Sequence, residues 1–287
     1  MKHFAKSALF LVLISLVACT HYIYISRCIW QQQAVTIDGR PTEWKLPLKY
    51  FDEESKLQYA VSNDFQNIYF CFRATQQETQ VKLLRGGMQL WIDTTGQNQH
   101  NVGLMFPLSM ALRKANPDEV EPPVKGKQDV AGFKNKYLNG YKEMELAGFK
   151  TGINGMSPIK NKAGIEAAIN WDSTDILTYE VKIPFRTFYK DSITVHDSLK
   201  LFGISFVLNG IPQMERHHES DAGNRQGIPG GAGPGMSAGG GGMRGGGGGH
   251  HGGGGRSEGD AGSGYISQSN TIKITFQLSG DKQPKLK

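Results

Sequence analysis

A chain of 287 residues that is 38% hydrophobic can form one domain of ordinary size with a real core. Its formal net charge is +6, but Lys2 and Lys6 lie in an N-terminal targeting segment, and elsewhere basic and acidic residues are interspersed. Nucleic-acid binding requires a clustered basic face, so the composition argues against nucleic acid as a partner.

Residues 1–18 have the form of an export signal peptide, with two lysines before an apolar run that ends in small residues. The stretch "LVAC" resembles the bacterial lipobox, so Cys19 is the expected lipidation site and residues 19–33 the expected tether. The competing interpretation is an uncleaved anchor, although His21 and Arg27 interrupt the apolar run. Lipidation predicts a location in the cell envelope, attached to the outer membrane.

The two remaining cysteines, Cys28 and Cys71, have two possible states. An oxidising compartment would allow a disulfide between them. Cys71, however, alternates with Phe70 and Phe72 as a single strand cysteine does. We expect two free thiols.

Period-two alternation of apolar and polar residues dominates after residue 34 and predicts strands with one buried face each. In 88–93, for example, Gln89, Trp91 and Asp93 share the face opposite the apolar residues. Residues 78–85 and 184–190 can each form a turn or two of helix. The predicted strands are 34–37, 57–62, 67–74, 88–93, 102–106, 143–150, 164–171, 176–184, 199–208 and 271–278.

These elements predict an all-β fold, an antiparallel two-sheet β-sandwich over residues 34–280. Residues 116–141 are polar and contain prolines, which is typical of a surface excursion. Residues 222–264 are a Gly-rich insertion, expected to be disordered, before the last strand, and 281–287 are a basic tail. Lengthening this connection from about ten to about sixty residues costs only about 1.5 kcal/mol, so the last strand can still join the sheet.

Four stretches resemble a known family in their order and spacing. They are "VTIDGRPTEW" (35–44), "YAVSNDFQNIYFCFRAT" (59–75), "GGMQLWIDTTG" (86–96) and "YEVKIPF" (179–185). Together they resemble the family 9 carbohydrate-binding modules and their DOMON-like relatives. The resemblance implies an exported β-sandwich that binds glycans without catalysis.

The chain departs from that family at two aromatic positions. Sugar-binding members place an aromatic residue just before the strand corresponding to 88–93, where this chain has Leu83 and Leu84. They place a second aromatic towards the C-terminus, in the region that the Gly-rich insertion occupies here. The resemblance therefore supports the sandwich more strongly than the sugar clamp.

Trp91, with Gln89 and Asp93 on the same strand face, is the expected ligand-binding group. Sugars bind flat aromatic surfaces that stack on the pyranose ring, with polar side chains to hold the hydroxyls. Trp44 and Trp171 are expected in the core. The alternative for Trp91 is also packing, since a half-buried strand tryptophan is most often a packing residue.

No catalytic site is expected. Asp172 and Asp175 are close in sequence, but their spacing describes a polar turn as readily as a pair of catalytic carboxylates. The chain contains no H-E-x-x-H and no Cys/His zinc spacing. The sequence predicts a protein that is not an enzyme.

No cofactor is expected, with structural calcium as the possible exception. Asp38, Asp64 and Asp93 are conceivable calcium ligands at strand ends, and turn capping is the alternative for each of them. His217 and His218, near the start of the insertion, could bind Zn²⁺ or Cu²⁺. Some DOMON-like relatives bind haem through a Met and a His, for which His100 with Met105 is the one pair available.

The leading hypothesis is a non-catalytic glycan-binding sandwich, tethered to the cell envelope through a lipid anchor in the membrane. The alternative is a structural or assembly protein of the envelope, in which the sandwich is a scaffold and the Gly-rich loop contacts a protein partner. A haem- or metal-binding module is the third possibility.

Overall fold

The computed structural model describes residues 25–97, 99–109, 112, 134, 138–150, 152–211 and 265–280. The expected signal peptide, the lipidation site Cys19, most of the excursion 116–141, the whole insertion 222–264 and the tail 281–287 lie outside the described residues, as do His217 and His218. The expectations for those segments stay predictions.

The described residues form mostly β-strands, as the alternation predicts. The α-helix α1 spans Gln77–Gly86, and short 3-10 helices span Phe185–Thr187 and Val195–Leu199. The strands are β1 (Ile25–Arg27), β2 (Ile29–Trp30), β3 (Tyr50–Asp52), β4 (Leu57–Asn63), β5 (Asn67–Ala74), β6 (Met88–Asp93), β7 (Val102–Met105), β8 (Glu143–Ala147), β9 (Gly155–Pro158), β10 (Glu166–Trp171), β11 (Leu177–Pro184), β12 (Leu201–Leu208) and β13 (Asn270–Gln277).

Two sheets pack face to face, which confirms the predicted β-sandwich. The seven-stranded sheet has the order β1-β13-β12-β6-β7-β8-β9, and the six-stranded sheet has the order β10-β11-β5-β4-β2, with β3 also paired to β4. The inner faces bury one main core, in which Phe70, Phe72 and Phe206 are almost fully inaccessible. The last strand, β13, pairs along its whole length with β12, so the insertion connects two neighbouring strands.

The sheets are mixed rather than purely antiparallel. β1 pairs with β13 in parallel, and β2 pairs with β4 in parallel. Both parallel strands belong to residues 25–30, which alternation does not mark as strands because each is only two or three residues long. All other strand pairs in the described part of the chain are antiparallel.

The tether prediction is wrong for residues 25–30. These residues pass from the seven-stranded to the six-stranded sheet at Cys28, whose backbone N–H donates to Gln277 O at 3.0 Å. Cys28 and Ser26 are buried at this corner. The sandwich therefore includes residues that the sequence assigned to a linker, because their partners are more than thirty residues away in sequence.

The predicted strand 34–37 is also wrong, and its residues have another role. They belong to an extended segment without strand pairing that covers the outer face of the six-stranded sheet. There Val35, Ile37, Trp44 and Leu48 pack with Ala60, Tyr69 and Cys71 in a second core. The expectation of one buried face per strand therefore fails for β4, β5 and β11, which are buried on both faces.

Glu180 on β11 holds this covering segment in place. Its carboxylate accepts hydrogen bonds from Trp44 Nε1 at 2.8 Å and from Gly39 N at 2.9 Å. Gly39 has φ +78° and lies so close to β10 that an added Cβ would be 2.7 Å from Asn170 Cβ, so a glycine is required there. Burial raises the pKa of Glu180 to about 7, against the opposing effect of these hydrogen bonds.

The core expectations for the other residues are confirmed in part. Trp44 is buried, and Trp171 is half-buried against the main core, with Nε1 donating to Gln80 Oε1 at 2.9 Å. Cys28 and Cys71 are both buried free thiols, as predicted. Among the residues that the structure describes, no helix is long and apolar enough to cross a membrane.

Candidate functional site

The candidate site lies on the outer face of the seven-stranded sheet, around β6. Alternation along β6 buries Met88, Leu90 and Ile92 in the core and directs Gln89 and Trp91 outwards. In register, Trp91 lies between Gly103 on β7 and Ser205 on β12. The tryptophan is therefore flanked on both sides by small residues, which leave room for its ring.

A chain of hydrogen bonds fixes the Trp91 side chain. Trp91 Nε1 donates to Gln89 Oε1 at 3.0 Å, and Gln89 Nε2 donates to Asn209 Oδ1 at 3.1 Å. Asn209 Nδ2 donates in turn to Gly86 O at 3.0 Å. The side chains are only partly buried, so the ring is held in one orientation while part of it stays accessible.

Two neighbours set the plane of the Trp91 ring. The ring lies over Gly103, where an added Cβ would come within 2.5 Å of Trp91 Cε3. The exposed imidazole of His100 stacks on it, with ring centroids 4.8 Å apart and an interplanar angle of 3°. We call Trp91, His100, Gln89 and Asn209 the Trp91 platform, a flat aromatic surface next to two side-chain amides.

Asp93, the third predicted ligand residue, is buried, and its carboxylate oxygens already accept hydrogen bonds from the following turn. Its carboxylate accepts hydrogen bonds from Thr95 N at 2.8 Å, Gln97 N at 2.7 Å and Asn101 Nδ2 at 3.1 Å, and also from Thr95 Oγ1 and Gln99 N. Burial acts to raise the pKa of Asp93, but hydrogen bonds from the turn lower it overall. Asp93 thus organises the turn that carries His100.

The two other predicted calcium ligands also cap turns. Asp64 accepts hydrogen bonds from Asn67 N at 2.6 Å and Tyr69 OH at 2.6 Å in the β4–β5 hairpin. Asp38 accepts one from Arg40 N at 2.8 Å. These contacts fit the turn-capping alternative. Among the described residues, no group of three or more His, Cys, Asp or Glu side chains could hold a metal ion.

The haem pair nominated from the sequence is on the same sheet face. His100 stacks on Trp91, and Met105 lies opposite Gln89 on β7. The haem interpretation stays a prediction. The polar turn expected around Asp172 is present, since Asp172 accepts from Thr174 N at 2.8 Å and pairs with Arg73 Nη2 at 2.7 Å.

Sequence reasoning missed Asn209 and assigned His100 only to haem. Asn209 follows β12 directly and reaches Gln89 through the sheet register, a contact between residues 120 positions apart. The Asn-Gly dipeptide marks a turn there but gives no sign of the contact. Leu83 and Leu84, at the position of the family's first aromatic, are buried in the core from α1.

Comparisons with known proteins add a likeness to one solved structure. No protein-family profile matches the chain, and no curated protein matches it by sequence. The fold is similar to a carbohydrate-binding module of family 9 from Caldicellulosiruptor kristjanssonii, solved in complex with glucose. The match covers 91% of this chain and 97% of that chain, with 9% identity and a TM-score of 0.33. Similarity this low says nothing about a ligand, so function rests on the Trp91 platform itself.

Proposed function

We propose that the protein is a non-catalytic carbohydrate-binding β-sandwich and that glycans bind at the Trp91 platform. The observation that carries the proposal is the fixed, partly accessible aromatic surface of Trp91, held by Gln89 over Gly103 and extended by the exposed His100 imidazole that stacks on it. A pyranose ring presents C–H groups on its face, and these stack on an aromatic surface. The amides of Gln89 and Asn209 lie beside the ring, where they can exchange hydrogen bonds with sugar hydroxyls.

The composition of the platform favours binding over hydrolysis. Glycoside hydrolysis requires two carboxyl groups across the scissile bond. On β6 the carboxylate of Asp93 is buried and bonded to its own turn, and the exposed Glu143 and Glu145 both lie on β8, on one side of the platform and not across it. Among the described residues the platform offers one aromatic surface, which supplies a modest contact area, so we expect dissociation constants of about 0.1–1 mM for short oligosaccharides.

The proposal includes a location in the cell envelope. Lipidation of Cys19 would tether the sandwich to the outer membrane and place the platform among envelope or environmental polysaccharides. Mass spectrometry of the mature N-terminus tests this part. A mature chain that starts at Cys19 with a lipid mass supports it, and an intact N-terminal segment contradicts it.

Affinity electrophoresis through gels that contain polysaccharides tests the binding proposal. Retardation of the full chain is expected for at least one glycan, and Trp91→Ala is expected to weaken binding about tenfold, or about 1.4 kcal/mol. Trp30→Ala is the matched control, because Trp30 is also half-buried but belongs to the six-stranded sheet. Absence of retardation by every polysaccharide, or equal losses in the two variants, would contradict the proposal.

The second candidate is a scaffold that presents the insertion to a protein partner. The observation that favours it is the anchoring of the described residues on either side of segment 212–264, which contains the insertion. Ile211 N donates to Ile266 O at 2.9 Å, and Tyr265 OH donates to Ser55 O at 2.7 Å. The two described residues that flank this segment, Ile211 and Tyr265, therefore lie at one place on the sandwich. Pull-downs from envelope extracts with and without residues 222–264 test it, and identical partners would remove this role.

A further inference from the structure

The outer face of the seven-stranded sheet is basic on one side of the platform. In cross-strand register Trp91 is opposite Ser205, and Ser205 is opposite Lys273 on β13. Residues in register share a face, so the exposed Lys273 lies on the same face as Trp91, two strands away. Two strand spacings are about 10 Å, and the flexible lysine stem can shorten the gap to a ligand on the ring.

On the opposite side of the Trp91 platform, towards β8, the same sheet face is acidic. Gln89 is opposite Met105, and Met105 is opposite Glu145 on β8. Glu145 is exposed, and so is Glu143, which alternation places on the same face of β8. A ligand on the platform therefore lies between a cation on the β13 side and carboxylates on the β8 side.

Only small residues separate Trp91 from Lys273. Ser205 lies directly between them, and Gly203 is the next residue of β12 on that face. Ser205 is 2% exposed, so neighbouring side chains cover it and it does not project as a wall between the ring and the lysine. A substituent that extends from a sugar stacked on Trp91 towards β13 meets the lysine ammonium group.

We infer that the Trp91 platform prefers acidic saccharides, with the uronic acid ring on Trp91 and its carboxylate towards Lys273. This inference rests on the proposed glycan binding and adds the substrate class. The ammonium group of Lys273 attracts the sugar carboxylate, whereas Glu145 and Glu143 repel it, so these three charged groups also orient the sugar ring. Surface charges of this kind act over a short range and weaken as salt is added.

Calorimetric titration with matched polymers tests the inference. The full chain is titrated with polygalacturonic acid and with its methyl-esterified form, which has the same sugar ring without the charge. We expect the acidic polymer to bind about threefold to fivefold more tightly at low salt, the size of one exposed charge pair. Lys273→Gln should remove the difference and leave affinity for the neutral polymer unchanged. Lys45→Gln, an exposed lysine in the segment over the other sheet, is the charge-matched control.

The possible outcomes separate the inference from the proposed function. Equal affinity for the two polymers, with binding lost in Trp91→Ala, would overturn the acidic preference and keep glycan binding. An equal loss of preference in Lys273→Gln and Lys45→Gln would show a general effect of net charge and would also overturn it. Absence of binding to either polymer and to every neutral polysaccharide would contradict both the acidic preference and the proposed glycan binding.

Discussion

Single residues on the outer face of β6 differ in how far they are accessible to solvent. Trp91 and Asp93 are two positions apart and share a face by alternation. Trp91 stays partly accessible because Gly103 and Ser205 beside it are small, whereas Asp93 is buried under its own turn. The identity of the neighbours in register therefore decides which polar or aromatic residue of the strand can contact a ligand.

Gly103→Ala tests the support beneath Trp91. The added Cβ would lie 2.5 Å from Leu90 O and 2.5 Å from Trp91 Cε3, so both the backbone and the ring must move. We expect a loss of about 1–3 kcal/mol in the free energy of unfolding and weaker glycan binding. Urea denaturation and affinity electrophoresis measure the two effects. Gly280→Ala is the control, because nothing lies within 4 Å of its added Cβ; equal effects would contradict the role of Gly103.

Glu180 predicts a pH dependence of stability. Its pKa in the folded state is about 7, above its ordinary value of 4.5, because burial disfavours the charged form. Because the folded state holds the Glu180 proton more tightly than the unfolded state does, Glu180 stabilises the fold fully below about pH 4.5. This contribution to the free energy of unfolding is lost as pH rises through 7, by up to about 3 kcal/mol. Glu180→Gln should abolish this slope in urea titrations between pH 4.5 and 8. The exposed control Glu143→Gln should keep the slope, and its persistence in Glu180→Gln would contradict the assignment.

At the scale of elements, the sequence predicted most strands to within three residues. Strong alternation marked β4, β5, β6, β11 and β13, since one face of each packs on the main core. It failed for residues 34–37, where Val35 and Ile37 alternate but pack on the outside of a sheet without joining a ladder. It also failed for β1 and β2, which are too short to show a period. Alternation reports burial, and burial does not require strand pairing.

Truncation tests the role of residues 25–30. A chain that starts at residue 25 keeps β1, β2 and the buried Cys28, and it should fold with unchanged stability. A chain that starts at residue 31 loses both pairings, and we expect a fall of about 6–12 °C in Tm, equivalent to about 3 kcal/mol. Thermal denaturation followed by circular dichroism measures the difference. Equal Tm values for the two truncated chains would show that residues 25–30 contribute nothing to the stability of the fold.

At the scale of the whole molecule, segments of the chain connect the two sheets at both edges of the sandwich. Residues 25–30 join the sheets at one edge, and at the other β9 pairs with β8 while Ala167 N of β10 donates to Ile159 O at 2.9 Å. Edge strands with free N–H and C=O groups invite pairing between molecules, and these crossings reduce the exposed edge. The insertion connects β12 and β13 inside the seven-stranded sheet without interrupting their register.

Shortening the insertion tests whether the fold depends on it. Replacing residues 212–264 with about five Gly and Ser residues keeps the pairing of Ile211 with Ile266. The shorter connection should raise the free energy of unfolding by about 2 kcal/mol, because closing a loop of about fifty residues costs more entropy. Glycan affinity should stay the same, since the Trp91 platform lies wholly outside the replaced residues. Urea denaturation and calorimetry check both expectations, and loss of binding would place part of the site in the insertion.

The sequence by itself determined the all-β class, the position of most strands and the outward direction of Gln89 and Trp91. These properties follow from local alternation, which a single strand carries in its own residues. Only the tertiary structure decided that β4, β5 and β11 are covered on both faces, that residues 25–30 belong to the sheets, and that Asn209, His100 and Lys273 surround Trp91. Those results depend on cross-strand register and on contacts between residues far apart in sequence, which no local pattern encodes.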